Sequence, residues 1–312
     1  MTITVLGHLS IDEVHVPKRS GEDFVSRVDF GGIYFSVITL AGLLGQGDVL
    51  LPVFGVGEEE YDDLRKKLEQ YPQIDLSGIF KFKGSTNRVL LFAGKDGQGR
   101  VECSKNISNP IPFSRIKPNL DADGILINMV SGFDITLETL DSIRMAVRDA
   151  KTPIHFDFHS LTLGIDQEYK RFRRPLTDWR RWCFMLNSIQ MTEEEALGLS
   201  AERYDEPTLI NQLMPLMVNA LIITRGERGA TAILQDNKKL TRYDVPGTSV
   251  GPAVDPNGCG DVFGAAFLFR YLQQKNYKGA AEFANQIAGM KSATSEMAEF
   301  PAMVGKFANA KQ

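Results

Sequence analysis

Short aliphatic or β-branched runs alternate along the chain with longer stretches whose apolar residues recur at helical spacing. Residues 2–6, 49–54, 124–129, 154–158, 183–187, 221–224 and 230–234 form the first set, often bounded by Gly or Pro, and read as strands. Residues 61–71, 137–150 and 208–217 carry apolar positions on one face and charges on the other. That is the pattern of helices that cross over a parallel sheet and cover it. The expected architecture is α/β, with helices on both faces of a mostly parallel sheet.

Two segments break the rhythm. Residues 13–29 and 79–102 read as strands of an antiparallel piece, and within the second, residues 87–93 lead into Lys95-Asp-Gly-Gln-Gly-Arg100, a Gly-rich turn suited to a hairpin. The chain thus divides into an α/β core, residues 1–12, 30–78 and 105–312, and a small β-rich lid, residues 13–29 and 79–104. No repeat of fixed period and no low-complexity linker interrupts it.

Composition narrows the picture further. The 312 residues are 43% hydrophobic and 24% charged, an ordinary globular balance. A net charge of −4 gives no basic footprint, so no nucleic-acid partner is expected. The interleaved Lys170-Arg-Phe-Arg-Arg174 and Trp179-Arg-Arg-Trp182 runs are too short to change that and read as a solvated surface helix or loop. No apolar run approaches the ~20 residues of a membrane span. The start, Met-Thr-Ile-Thr-Val-Leu-Gly-His, lacks a positive flank and reads as a first strand, not a signal for export. Cys103, Cys183 and Cys259 are odd in number and far apart, which favours a reducing compartment, the cytoplasm.

The richest segment is Val254-Asp-Pro-Asn-Gly-Cys-Gly-Asp-Val-Phe-Gly-Ala-Ala-Phe267, a turn opening a helix that runs to about Gln274. Gly258 and Gly260 let the backbone approach a ligand, and the amides of Gly258, Cys259 and Gly260 point from the positive end of the helix dipole, an anion site. Asp261 would repel an anion there unless it has a proton to collect. A carboxylate so placed suits a general base taking the proton of an alcohol that attacks phosphorus, while the amides hold the transferring phosphoryl group. A plainer reading stays open, in which Asp261 caps a core helix and the glycines relieve turn strain. For Cys259, a thiol acidified by the helix start stands beside a small packed side chain.

This segment resembles the second signature of the ribokinase-like (PfkB) carbohydrate kinase family, Asp-Thr-x-Gly-Ala-Gly-Asp. Asp255, Gly258, Gly260 and Asp261 match it, with Pro256 in place of Thr or Ser and Cys259 in place of Ala. The resemblance implies a three-layer sandwich with a small β lid, Asp261 as catalytic base and the turn as anion hole. Residues 31–45, opening on Gly31-Gly32, are similar to the first signature, a helix lining the sugar pocket, with Ser36 where the family usually has Asn. Gly7-His-Leu-Ser-Ile-Asp12 resembles the strand end whose Asp bonds sugar hydroxyls. Ile222-Ile-Thr-Arg-Gly-Glu-Arg-Gly229 resembles the Thr-x-Gly-x-x-Gly strand end and implies nucleotide contacts from Thr224 and Gly226. Phe283-Ala-Asn-Gln286 resembles the adenine-side helix, which makes Asn285 a nucleotide contact. Thr192-Glu-Glu-Glu-Ala196 is similar to Asn-x-x-Glu, with Thr192 in place of Asn, and implies Glu195 as a magnesium residue acting through water. Asn187 is the open candidate to compensate. Three glutamates at a helix start also simply complement the dipole.

The cofactors implied are ATP and magnesium, with potassium beside the anion turn in some family members, and lids are often used in dimer contacts. No Gly-x-x-x-x-Gly-Lys-Ser/Thr loop and no Gly-x-Gly-x-x-Gly fingerprint after the first strand occurs, which leaves out the P-loop and dinucleotide-binding routes. His155-Phe-Asp-Phe-His159 offers imidazole, carboxylate and imidazole on one strand face. The stronger reading makes Asp157 a pocket acid at a strand end. Arg88 and Arg100, on the lid strands, are candidates for a sugar or sugar phosphate, since guanidinium binds phosphate bidentately. The expected function is ATP-dependent phosphorylation of a sugar hydroxyl. A nucleoside or sugar-phosphate kinase of the same family, or a sugar- or nucleotide-binding regulator without turnover, is the alternative.

Overall fold

The computed structural model describes residues 1–17, 24–93, 100–236, 239–248, 250–251, 253–294 and 297–310. The expected turn at 95–100 lies outside them up to residue 99, as does part of the first irregular segment. In chain order the elements are β1 (Thr2–Leu6), β2 (Leu9–Pro17), β3 (Phe24–Gly32), α1 (Ile33–Leu43), β4 (Val49–Gly57), α2 (Tyr61–Leu68), β5 (Ile79–Phe82), β6 (Asn87–Ala93) and β7 (Arg100–Lys105). There follow α3 (Phe113–Ile116), β8 (Gly124–Asn128), α4 (Leu137–Ala146), β9 (Ile154–Asp157), β10 (Leu163–Ile165), β11 (Arg171–Arg173), α5 (Trp179–Cys183), β12 (Ser188–Thr192), α6 (Glu193–Gly198) and α7 (Glu206–Leu213). The last third holds β13 (Ala220–Thr224), β14 (Gly229–Asp236), β15 (Lys239–Pro246), α8 (Cys259–Gln274), α9 (Tyr277–Ser292) and α10 (Phe300–Asn309).

Nine strands form the central sheet in the order β15-β14-β13-β12-β9-β8-β1-β4-β5. It is parallel from β5 to β13 and antiparallel where β14 and β15 extend it. One layer, α1, α8, α9 and α10, packs together on the sheet, and α1 is buried almost all round, as its continuous apolar sequence requires. α2 buries only Leu64 and Leu68, the single stripe of a surface helix. The fold is α/β, as expected. β1 lies between β4 and β8, so the strand order reverses there and opens a crevice at the carboxyl ends of the strands. Among the described residues no helix is long and apolar enough to cross a membrane.

A second sheet of four strands, β3-β2-β6-β7, is antiparallel except for the β2–β6 pair. Ile79–Phe82, read in sequence as part of the irregular piece, instead closes the edge of the central sheet beside β4.

Two sequence expectations are corrected. Residues 183–187 are not a strand. Trp179–Cys183 is a short helix with both tryptophans buried, and the strand is Ser188–Thr192. Its buried Ser188 and Gln190 are satisfied by His155 on the neighbouring strand, so polar side chains sit in a central strand and hide its pattern. In the basic run at 170–174, Lys170, Phe172, Arg173 and Arg174 are exposed as expected, and Arg171 alone departs from it. Arg171 lies in a strand, buried, with Nε donating to Ser104 Oγ at 2.8 Å and Nη2 to the Ser131 carbonyl at 2.8 Å.

Candidate active site

The turn before α8 has the conformation its glycines suggest. Gly258, the N-cap, is left-handed at φ 78°, and a Cβ there would stand 2.5 Å from the Phe35 ring, so only glycine fits. Among the described residues no partner is found for the N–H of Gly258 or Gly260. The Cys259 N–H is turned back to the Pro256 carbonyl at 3.3 Å, so the free donors are the two glycines and not all three amides. Cys259 is not acidified. Burial pushes its thiol up to about 11, and Sγ faces the Ala288 carbonyl, which fits the packing reading.

Asp261 is 4% exposed but lies among polar groups. Its Oδ1 accepts from Asn128 Nδ2 at 2.5 Å and lies 4.0 Å from His159 Nε2. Burial holds its carboxyl above the usual range, against the opposing pull of His159 and Asn128. Asp157, at the end of β9, accepts from Gln190 Nε2 at 3.0 Å, and burial lifts its carboxyl well above the ordinary value. Gln190 also donates to the Gly260 carbonyl at 2.9 Å, which ties β9, β12 and the turn together. His159 is desolvated, yet Asp261, Asp157 and Glu195 raise its pKa overall.

Asp12 accepts from Ser10 Oγ at 2.6 Å and from Asn257 Nδ2 at 2.7 Å. Gly31 packs on this carboxylate so closely that any side chain would overlap it, and Gly32 caps α1 at φ 59°. Asp255 holds the turn from behind. It accepts from the Asn257 N–H, from Arg27 Nη2 at 2.6 Å and from the buried Lys291 Nζ at 3.2 Å. Burial pushes its carboxyl up, but Arg27 and Lys291 outweigh this and leave it below the ordinary value.

Other expected residues are placed differently. Ser36 is buried and donates to the Asp261 carbonyl at 3.1 Å, bracing α1 against α8 instead of offering a free hydroxyl. Arg88 pairs with Glu13 at 3.6 Å on the face of the small sheet opposite to Asp12, because Asp12 and Val89 are cross-strand partners. It does not reach over the face that carries Asp12. Of Arg100 only the backbone is described. His155 is turned inward to Ser188 and packs on Phe267, and burial lowers it to about 4. His155 and His159 therefore do not share a site.

Thr192 and Glu195 form a complete capping box, Thr192 Oγ1 accepting from the Glu195 N–H and Glu195 Oε2 from the Thr192 N–H. Glu195 Oε1 is 3.9 Å from Arg173 Nη1, and burial raises the carboxyl. Asn187 does not compensate for Thr192. Its Oδ1 accepts from the Ile154 N–H at 2.9 Å, at the far end of the strands. Thr224 ends β13, and a Cβ on Gly226 would meet open space. Asn285 is buried on α9 and donates to the Pro246 carbonyl and Thr248 Oγ1. Sequence reasoning missed Arg27, Lys291, Asn128, Asn257 and Gln190. Only the lysine in the apolar pattern of α9 gave a local signal.

Residues 181–300 match the model of the pfkB family of carbohydrate kinases. The PfkB resemblance read from the turn thus stands over the segment that contains it. A nucleoside kinase of Methanocaldococcus jannaschii is 36% identical over 56 residues, a match spanning 18% of this chain and 17% of that protein. The fold is that of the ribokinase-family kinases. Ribokinase from Thermotoga maritima superposes with a TM-score of 0.72 at 19% identity, over 99% of both chains. A pyrophosphate-dependent kinase of the ribokinase family, complexed with a pyrophosphate analog and myo-inositol, gives 0.75 at 16% identity, over 97% of this chain and 99% of that one.

Proposed function

We propose that the chain is an ATP-dependent carbohydrate kinase that transfers the γ-phosphoryl group of ATP to a sugar hydroxyl. The observation that carries this is the meeting of the Asp261 carboxylate with the unpartnered Gly258 and Gly260 amides at the start of α8. The hydroxyl gives its proton to Asp261 as its oxygen bonds to phosphorus, the bond from phosphorus to the departing ADP oxygen breaks, and the glycine amides hold the charge on the phosphoryl oxygens. Thr224, Gly226 and Asn285 are the nucleotide-side residues, and Asp12 with Gly31 the acceptor side. The four-stranded sheet acts as the lid that excludes water.

Among the described residues no group of three His, Cys, Asp or Glu side chains stands close enough to hold a metal directly. Asp157, Glu195 and Asp261 are three buried carboxyls, each raised chiefly by burial, and a divalent cation nearby would favour their charged forms. Glu195 would hold magnesium through water, and the ion would neutralise nucleotide phosphate charge.

The partial match to a nucleoside kinase favours a second acceptor class, nucleosides, on the same machinery. An ADP-release screen across free sugars, sugar phosphates, nucleosides and polyols with magnesium and ATP separates them. Asp261→Asn is expected to keep nucleotide binding and lower turnover by about 10²–10⁴-fold. A wild-type chain silent on the whole panel is a binding regulator and not a kinase.

A further inference from the structure

The small sheet carries a buried amide that no group among the described residues satisfies. Asn87 opens β6 and is fully buried, and neither its Oδ1 nor its Nδ2 has a hydrogen-bond partner among the described residues. Burying an unpaired polar group costs about 1–3 kcal/mol, and native proteins satisfy nearly all such groups. An amide kept under that penalty marks a place where something other than the chain supplies the bonds.

Its position says what that is. β2 and β6 run parallel with Ser10 beside Asn87 and Asp12 beside Val89, so Ser10, Asp12 and Asn87 share one face. This face is turned to the anion turn, because Asn257 donates to Asp12. Two residues before Ser10 and Asn87, His8 and Ser85 line one cleft of about 470 Å³ together with Lys83 and Asn106. The first rung of the β2–β6 pair therefore lies two residues along both chain segments from that cleft, on the face that carries Asp12. A further unpartnered buried atom is Asn128 Oδ1, on the side chain whose Nδ2 bonds Asp261.

We propose that Asn87 is a specificity residue for a polyhydroxylated acceptor. Its N–H donates to one hydroxyl oxygen and its Oδ1 accepts from the neighbouring hydroxyl, so the amide reads a vicinal diol, which offers both roles at adjacent carbons. Asn128 Oδ1 accepts from a hydroxyl near the one that gives its proton to Asp261. The assignment rests on the kinase reading for where the acceptor lies, but binding of the diol is an equilibrium property that is measured without turnover.

Asn87→Leu removes both polar atoms and keeps the branched shape of the side chain, and Asn87→Ala serves if the bulkier leucine does not fold. Binding of D-ribose, inosine and myo-inositol to wild type and variant is measured by calorimetry, and KM and kcat by ADP release for any that turn over. The expected result is a polyol affinity weakened about tenfold or more, expressed in KM with kcat near wild type. An unfolding midpoint of the ligand-free Asn87→Leu chain at or above wild type, since the orphan amide is gone, gives further support. Affinity unchanged in a folded variant overturns the proposal, as does a wild-type chain that binds none of the three. Polyol binding that is lost in the variant, without any ADP release by wild type, keeps the diol site and removes the kinase reading.

Discussion

The Lys291 ammonium, fully buried on α9, lies 3.2 Å from Asp255 Oδ2 and 3.1 Å from the Asp255 carbonyl, while Arg27 from the small sheet meets the same carboxylate oxygen at 2.6 Å. One aspartate thus fastens the glycine turn to a core helix and to the small sheet. Without Lys291, Asp255 keeps Arg27 as its one cationic partner, so Lys291→Met removes charge-assisted hydrogen bonds without stranding a charge and is expected to cost about 1.5–3 kcal/mol of stability, read from denaturant midpoints.

The same aspartate sets an acid limit. Its folded pKa is depressed, so its contribution to stability is present above the unfolded carboxylate value and is lost as pH falls through the folded one. Without Lys291 the folded pKa moves up, and the acid-unfolding midpoint of the Met variant shifts to higher pH.

A positive charge already stands beside the turn. Exchange of potassium for choline is therefore expected to leave turnover unchanged in the wild-type chain, measured as initial ADP release at constant ionic strength. A strict need for potassium would show that Lys291 does not supply that charge.

In the proposed reaction Asp261 can accept a proton only once it has lost its own, and burial holds its pKa above the usual carboxylate range. The acidic limb of kcat is expected above the ordinary aspartate value of about 4. His159, 4.0 Å away, opposes that shift. His159→Gln removes the opposing charge, so the limb moves to still higher pH in a kcat–pH profile.

Gly258 is constrained twice, by its left-handed backbone and by the Phe35 ring. Gly258→Ala is expected to lose about 3 kcal/mol, the sum of backbone strain and overpacking. The double variant with Phe35→Leu recovers the overpacking share only, and a double-mutant cycle on unfolding free energies measures it.

The alternation of short apolar runs with amphipathic stretches determined the α/β class, most strand positions and the helix that follows the anion turn, because periodicity is a local consequence of burial on one or two faces. The signature of Asp255, Gly258, Gly260 and Asp261 was legible through its resemblance to the family's motif, and the left-handed backbone at Gly258 gives one of its positions a local physical reason. Only the tertiary structure decided that Ser36 braces α8, that Arg88 faces away from Asp12, and that Ser188 and Gln190 sit in a central strand. It alone brought Arg27, Asp255 and Lys291 together across more than 200 residues of chain and left the Asn87 amide without a partner among the described residues. Burial, hydrogen bonding and charge pairing between distant segments depend on how sheets and helices pack, and no local pattern of residues encodes them.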